Sequence, residues 1–232
     1  MARSTRLRPR DLTFGYSCRR LVATDSPLRR LIALIVDGDD AAALRALATS
    51  PALATARVDQ GATRQSPEAS FFEQIRHYVY EGDTALHLAA AAYRERIARK
   101  LVAAGADVNA RNRRGAGPLH YAVDGIPGAP HWNPRAQAAT VVCLLEAGAD
   151  PNAVDAGGVT PLHRAVRNRC AAAVRALLAG GADPRRRNKK GTTARQLAEL
   201  TTGRGGVGSP EAKVQQEEIV RLLDGLVPLR SR

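Results

Sequence analysis

Aromatic side chains are scarce, at 4% of 232 residues, with a single tryptophan. Any core must be built from aliphatic and small residues, and the 44% hydrophobic content suffices for one and excludes a wholly disordered chain. Cysteine is equally sparse. Cys18, Cys143 and Cys170 are odd in number and lack CxxC spacing, which excludes a disulfide framework or zinc cluster and points to a reducing compartment. Long hydrophobic runs are missing: the longest aliphatic stretch, Leu31 to Val36, falls far short of the roughly 18 residues a membrane helix needs. Arg3, Arg6, Arg8 and Arg10 open the chain, but Arg19 and Arg20 interrupt before a secretory h-region can form, so no signal peptide and a cytoplasmic location are expected. Lysine occurs only at Lys100, Lys189, Lys190 and Lys213, so the net charge of +13 is almost entirely arginine. Charge of that kind says little about fold.

What the chain does have is a period. Gly82, Gly115, Gly158 and Gly191 open similar segments at intervals of 33, 43 and 33 residues, the middle one a period plus ten. The same words recur inside them: Thr84-Ala85-Leu86-His87, Gly117-Pro118-Leu119-His120 and Thr160-Pro161-Leu162-His163, then Gly105-Ala106-Asp107, Gly148-Ala149-Asp150 and Gly181-Ala182-Asp183. Thr160 can cap a helix, and Pro161 at the first helical position loses no hydrogen bond. Leu162, Ala165 and Val166 form one apolar side of that helix; Val174, Leu177 and Leu178 recur at helical spacing in a second helix over about Ala171 to Ala179, which Gly181 ends.

These words resemble ankyrin repeats, closely over Gly82 to Lys190 and more loosely from Ser26 to Pro228. The resemblance implies an all-α solenoid of about five helix pairs with short β-hairpin fingers, in which each pair buries its apolar face only against its neighbours. The chain resembles the small bacterial type of such proteins, with degenerate terminal repeats. Residues 1–25 are then a basic arm, expected to be flexible, and 26–228 a single repeat domain, with 229–232 as a tail. Within the domain, 26–58 is a degenerate first unit in which Ser26-Pro27 starts a helix through Val36 and Ala41 to Ala48 forms its partner. Residues 59–81 are an aromatic insertion, 82–114, 115–157 and 158–190 are full repeats, and 191–228 caps the array. There Arg195 and Gln196 replace leucine and histidine, a polar exchange suited to an uncovered end.

Three insertions interrupt the period. The first concentrates Phe71, Phe72, Tyr78 and Tyr80 near Glu73, Arg76 and His77, and reads either as a short helix folded back as a lid over the first unit or as a partner contact. The second, Asp124 to Pro134, is too rich in glycine and proline to be helix, and its Trp132 is either a binding contact or a plug for a local hole. The third, around Thr202 to Pro210, carries Gly203, Gly205, Gly206 and Gly208; no strand precedes it, so it reads as a connection rather than a phosphate loop.

Catalytic patterns are absent from the sequence. His87, His120 and His163 share one repeat position; the resemblance implies that each bonds within and between repeats, and stacking would set them roughly 10 Å apart, too far for one metal ion. His77 and His131 have no carboxylate or cysteine at ligand spacing, and Cys143 and Cys170 fit apolar positions. No nucleophile elbow and no acid/base pair of carboxylates is present. A non-enzymatic protein without metal or cofactor is expected.

The remaining signal is charge at the fingers. Arg111, Arg113 and Arg114 occupy one and Arg187, Lys189 and Lys190 another, whereas Asn152 to Gly157 between them is not basic. Fingers and first helices line the concave face that ankyrin proteins use, so the reading is a monomeric module that binds a protein partner, acidic in character, through these six residues with Trp132 as an addition. The alternative is nucleic-acid or polyanion binding through the basic arm and fingers, against which stand the missing recognition motif and stacking aromatics.

Overall fold

Each repeating word becomes a helix start for a local reason. In the computed structural model, which describes residues 26–63, 70–129, 131–199 and 209–225, Thr160 accepts from His163 N at 3.3 Å and His163 Nδ1 accepts from Thr160 N at 3.3 Å, a reciprocal cap with Pro161 at the first turn. The arm 1–25, the tail 229–232, Cys18 and the glycine-rich connection 203–208 lie outside the described residues.

Ten α-helices lie among those residues: α1 (Pro27–Asp37), α2 (Asp40–Thr49), α3 (Ala85–Ala91), α4 (Glu95–Ala103), α5 (Pro118–Ala122), α6 (Pro134–Glu146), α7 (Pro161–Arg167), α8 (Ala171–Ala179), α9 (Ala194–Glu199) and α10 (Pro210–Asp224). Consecutive helices pack as hairpins, α1 on α2 through α9 on α10, and the inner helices α1, α3, α5, α7 and α9 stack in order while α2, α4, α6, α8 and α10 stack beside them. Alanine makes this possible: Ala85, Ala89, Ala90, Ala98, Ala122, Ala165 and Ala173 are fully buried, letting backbones approach, with Leu86, Leu101, Leu144, Leu162 and Leu177 filling the seams.

The fingers differ from the expected hairpins. Regular strand pairing is absent from the described fingers, which show only isolated bridges, Arg57 with Thr84 and Arg187 with Thr193. One backbone bond closes each finger, from Asn112 N to Ala116 O, Asp155 N to Val159 O and Asn188 N to Thr192 O (each 3.1 Å), and the same residue's side chain reinforces it: Asn112 Oδ1 accepts from Arg114 N (2.9 Å) and Ala116 N (3.1 Å), Asp155 Oδ1 from Gly157 N (2.8 Å) and Val159 N (3.0 Å), and Asn188 Oδ1 from Lys190 N (2.9 Å) and Thr192 N (3.1 Å). Neighbouring fingers then bond directly, Arg113 N to Glu81 O (2.9 Å), Ala156 N to Arg114 O (2.9 Å) and Lys189 N to Gly157 O (3.2 Å). Gly82, Gly115 and Gly158 sit at this contact with positive φ, and a Cβ on Gly158 would lie 2.9 Å from Lys189 N.

The aromatic insertion is the one two-stranded sheet described, β1 (Phe71–Phe72) antiparallel to β2 (His77–Tyr78), joined by a 3₁₀ turn at Glu73–Ile75. The expected helix is thus corrected to a hairpin. Aromatic residues on both arms favour extended backbone, and Arg76, at φ 49 and ψ 44, makes the left-handed reversal that a helix would not allow. The hairpin does fold back over the first unit, where Phe72 and Ile75 pack on the core and Gln74 Nε2 donates to Asp37 Oδ1 at 2.7 Å.

Candidate binding face

Three bonding series brace the edge formed by the fingers and the starts of the inner helices. The histidines use Nε2 to reach the next repeat: His87 to Ala116 O (3.1 Å), His120 to Val159 O (3.0 Å) and His163 to Thr192 O (3.0 Å). Asn109 donates to Gly148 O and accepts from Asp150 N, and Asn152 repeats this with Gly181 O and Asp183 N. Arg57 Nη1 donates to Arg111 O (3.0 Å) and Arg111 Nη1 to Val154 O (3.0 Å); valine at the next equivalent position ends the series. The outcome is a rigid finger row.

The residues singled out in the sequence divide by environment. Arg111 is exposed but engaged in that series, while Arg113 and Arg114 turn toward the aromatic insertion, with guanidinium carbons 5.6 and 4.9 Å from the Tyr80 ring centre. Arg113 also bonds Ala62 O, and Arg114 Nη1 donates to the Tyr80 hydroxyl at 2.7 Å. In the last finger Arg187 Nη1 donates to Gly191 O (2.6 Å), and Lys189 and Lys190 are exposed without an ion pair among the described residues. Trp132 is half-buried, far along the chain from any finger, and its Nε1 donates to Gln137 Oε1 at 3.2 Å. Gly125 packs so tightly there that a Cβ would lie 2.9 Å from Trp132 Cδ1. Trp132 thus packs against the loop of its own insertion and keeps part of its surface in solvent.

A polar hub lies between the hairpin and the inner helices. Buried Asp83 accepts from the Tyr121 hydroxyl (2.9 Å to each oxygen), Asn112 Nδ2 (2.9 Å) and Tyr80 N (2.7 Å). Asp124 accepts from His77 Nε2 (2.9 Å), Arg164 Nη1 (3.1 Å) and Asn168 Nδ2 (3.0 Å), and Arg164 Nη2 reaches Asp155 at 3.3 Å. His77 thus has a carboxylate partner after all, 47 residues away in sequence. Above the hub opens a cavity of about 300 Å³ lined by residues of the hairpin, α5, α7 and the second insertion.

Two family models match the chain: Ankyrin repeats (many copies) over residues 144–198 and Ankyrin repeat over residues 81–113. This is an ankyrin-repeat protein. No curated protein matches it. Ankyrin repeats are generally protein-protein interaction modules and the family is typically non-enzymatic. Among the described residues no helix is long and apolar enough to cross a membrane, and no group of three His, Cys, Asp or Glu side chains could hold a metal ion.

Within the ankyrin stack, burial governs titration. It lowers His87 and His163, and it brings His120 down to about 4 with the nearby Arg164 adding to the effect. Burial alone would raise the Asp124 carboxyl, but Arg164 and then His77 outweigh it and hold the group well below the usual carboxylate range. The buried Cys170 thiol is pushed up to about 12, mainly by burial, so it is an inert core group. Sequence reasoning missed the hub: Asp83, the pair Tyr121 and Asp124, and Arg164 come from three successive repeats, and their repeat-specific departures from the shared words were the only available signal. Asn168, which ends α7, belongs to it as well.

Proposed function

We propose that this ankyrin-repeat protein is a non-enzymatic, monomeric, cytoplasmic binding module, a solenoid of about five helix pairs whose finger tips and concave inner-helix face meet an acidic region of a protein partner. The observation that carries the reading is the last finger, where Lys189 and Lys190 stand exposed and without ion pairs among the described residues on a tip held by Asn188. A preformed tip loses little entropy on docking, and peripheral cations steer an anionic partner toward it. Arg187 shares that finger, and Arg111, Arg113 and Arg114 extend the cationic edge. Trp132, half-buried beside Gln137 and Gly125, is an additional contact outside the finger row in this proposal.

Affinity capture from a lysate of the source cells tests the proposal, comparing the natural chain with a variant in which Arg187, Lys189 and Lys190 are replaced by glutamate. Loss of a specific protein from the variant is the expected result. The polyanion reading draws on the same exposed cations and makes a different demand: arbitrary duplex DNA should bind with a steep linear fall of log affinity against log salt. Such a slope, with no protein captured, would replace the partner-binding reading.

A further inference from the structure

The cavity above the polar hub has the chemistry of a receptor for part of the partner. Its volume, about 300 Å³, is at the small end of ligand cavities and matches one or two side chains rather than a folded element. Ile75, Tyr78, Tyr80, Tyr93 and Ile126 give it apolar and aromatic walls. Arg76, Arg114, Arg164 and Arg167 also line it, against Asp124 as the sole lining carboxylate. That carboxylate is already met by Arg164, His77 and Asn168, and Arg164 is itself paired with both Asp124 and Asp155, so the positive excess the cavity presents to solvent comes from the exposed Arg76 and Arg114, and a concave low-dielectric site focuses it.

Three details show that this charge is placed for use. Arg164 Nε is buried and has no hydrogen-bond partner among the described residues. Arg114 is held in one posture by its bond to the Tyr80 hydroxyl and its packing on that ring, which leaves its other donors preorganised. Arg76 adopts φ 49, a left-handed conformation that glycine would take freely, and yet a long cation stands there at the cavity rim. Tyr78 beside it is one of the few large hydrophobic side chains exposed among the described residues.

We propose that this cavity receives a carboxylate side chain and an adjacent aromatic side chain from an acidic segment of the partner protein. The arginines take the carboxylate by charge-assisted hydrogen bonds, and the tyrosine and isoleucine walls take the ring. This rests on the protein-binding reading above and adds to it a specific subsite away from the last finger.

Fluorescence anisotropy with a labelled, end-blocked octapeptide of alternating glutamate and tyrosine tests the site directly, with the glutamine-tyrosine octapeptide as comparison. The glutamate peptide should bind at least ~10-fold tighter, and Arg76→Gly should weaken it by ~5-fold or more without lowering the melting temperature, because glycine suits the turn. Reversal of Arg187, Lys189 and Lys190 should weaken it less than ~2-fold. Equal binding of both peptides, an unchanged affinity for Arg76→Gly, or stronger competition by octathymidylate than by unlabelled glutamate peptide would each overturn the proposal. The parent reading fails separately: it falls if the natural chain captures no protein, whereas a captured partner indifferent to Arg76→Gly removes this site alone.

Discussion

The three repeat-position histidines are neutral by construction. In each, Nδ1 faces the backbone N–H of the residue that caps the helix, and Nε2 faces a carbonyl of the next repeat. A second proton would set two donors against one another in a dry site. The unfolded chain, with ordinary histidines near 6.5, binds that proton first, so stability should fall as pH drops from about 6.5 to about 4, and Asp124 adds a loss in the same direction at lower pH. For His120 the loss is about 3 kcal/mol. His120→Gln keeps an acceptor at the cap, as Gln196 does for Thr193 N at 2.9 Å in the last unit. Urea titrations across pH 7 to 4 should show a flatter dependence for this variant, and an unchanged slope would remove His120 from the account. At the same scale Leu162→Ala, in a side chain 1% exposed, should cost about 2 to 5 kcal/mol, while Val214→Ala, 57% exposed, should cost less than about 0.5 kcal/mol.

Helix positions were legible in the sequence because their signals are local. Thr160-Pro161 marks a start that capping chemistry requires, and the expected second helix Ala171 to Ala179 coincides with α8. The aromatic hairpin was not read, although Phe71-Phe72 and Tyr78-Val79-Tyr80 around a polar turn carry a strand pattern; the surrounding helical period drew the expectation toward helix. The hub was less accessible still, since Asp124 joins β2, α7 and the second insertion through bonds spanning 40 to 47 residues. Asp124→Asn removes the charge that Arg164 and His77 share. Because the Asp124 side chain keeps 25% of its exposure, the cost should be about 2 kcal/mol rather than the roughly 3–5 kcal/mol of a fully buried pair. Hydrogen exchange should then report faster opening of the hairpin amides than of α8; equal protection in both proteins would mean that the hairpin holds without the hub.

Across the whole molecule, the bonding series from finger to finger turn separate repeats into one braced edge, and the charge on that edge is unevenly available. Composition showed that arginine was abundant, but only tertiary structure separates Arg113 and Arg114, engaged with Tyr80 and Ala62, from Lys189 and Lys190 at an exposed tip. The central claim is that this edge, rather than overall charge, meets an acidic partner. Its most direct test is the association rate with the captured partner, measured for two variants that change net charge equally: Arg187, Lys189 and Lys190 to glutamate on the last finger, and Arg96, Arg99 and Arg175 to glutamate on the second helices. The finger variant should associate ~10-fold or more slowly at low salt with its melting temperature nearly unchanged, and the second-helix variant should lose much less. Equal slowing by both would contradict the claim and assign the attraction to diffuse charge.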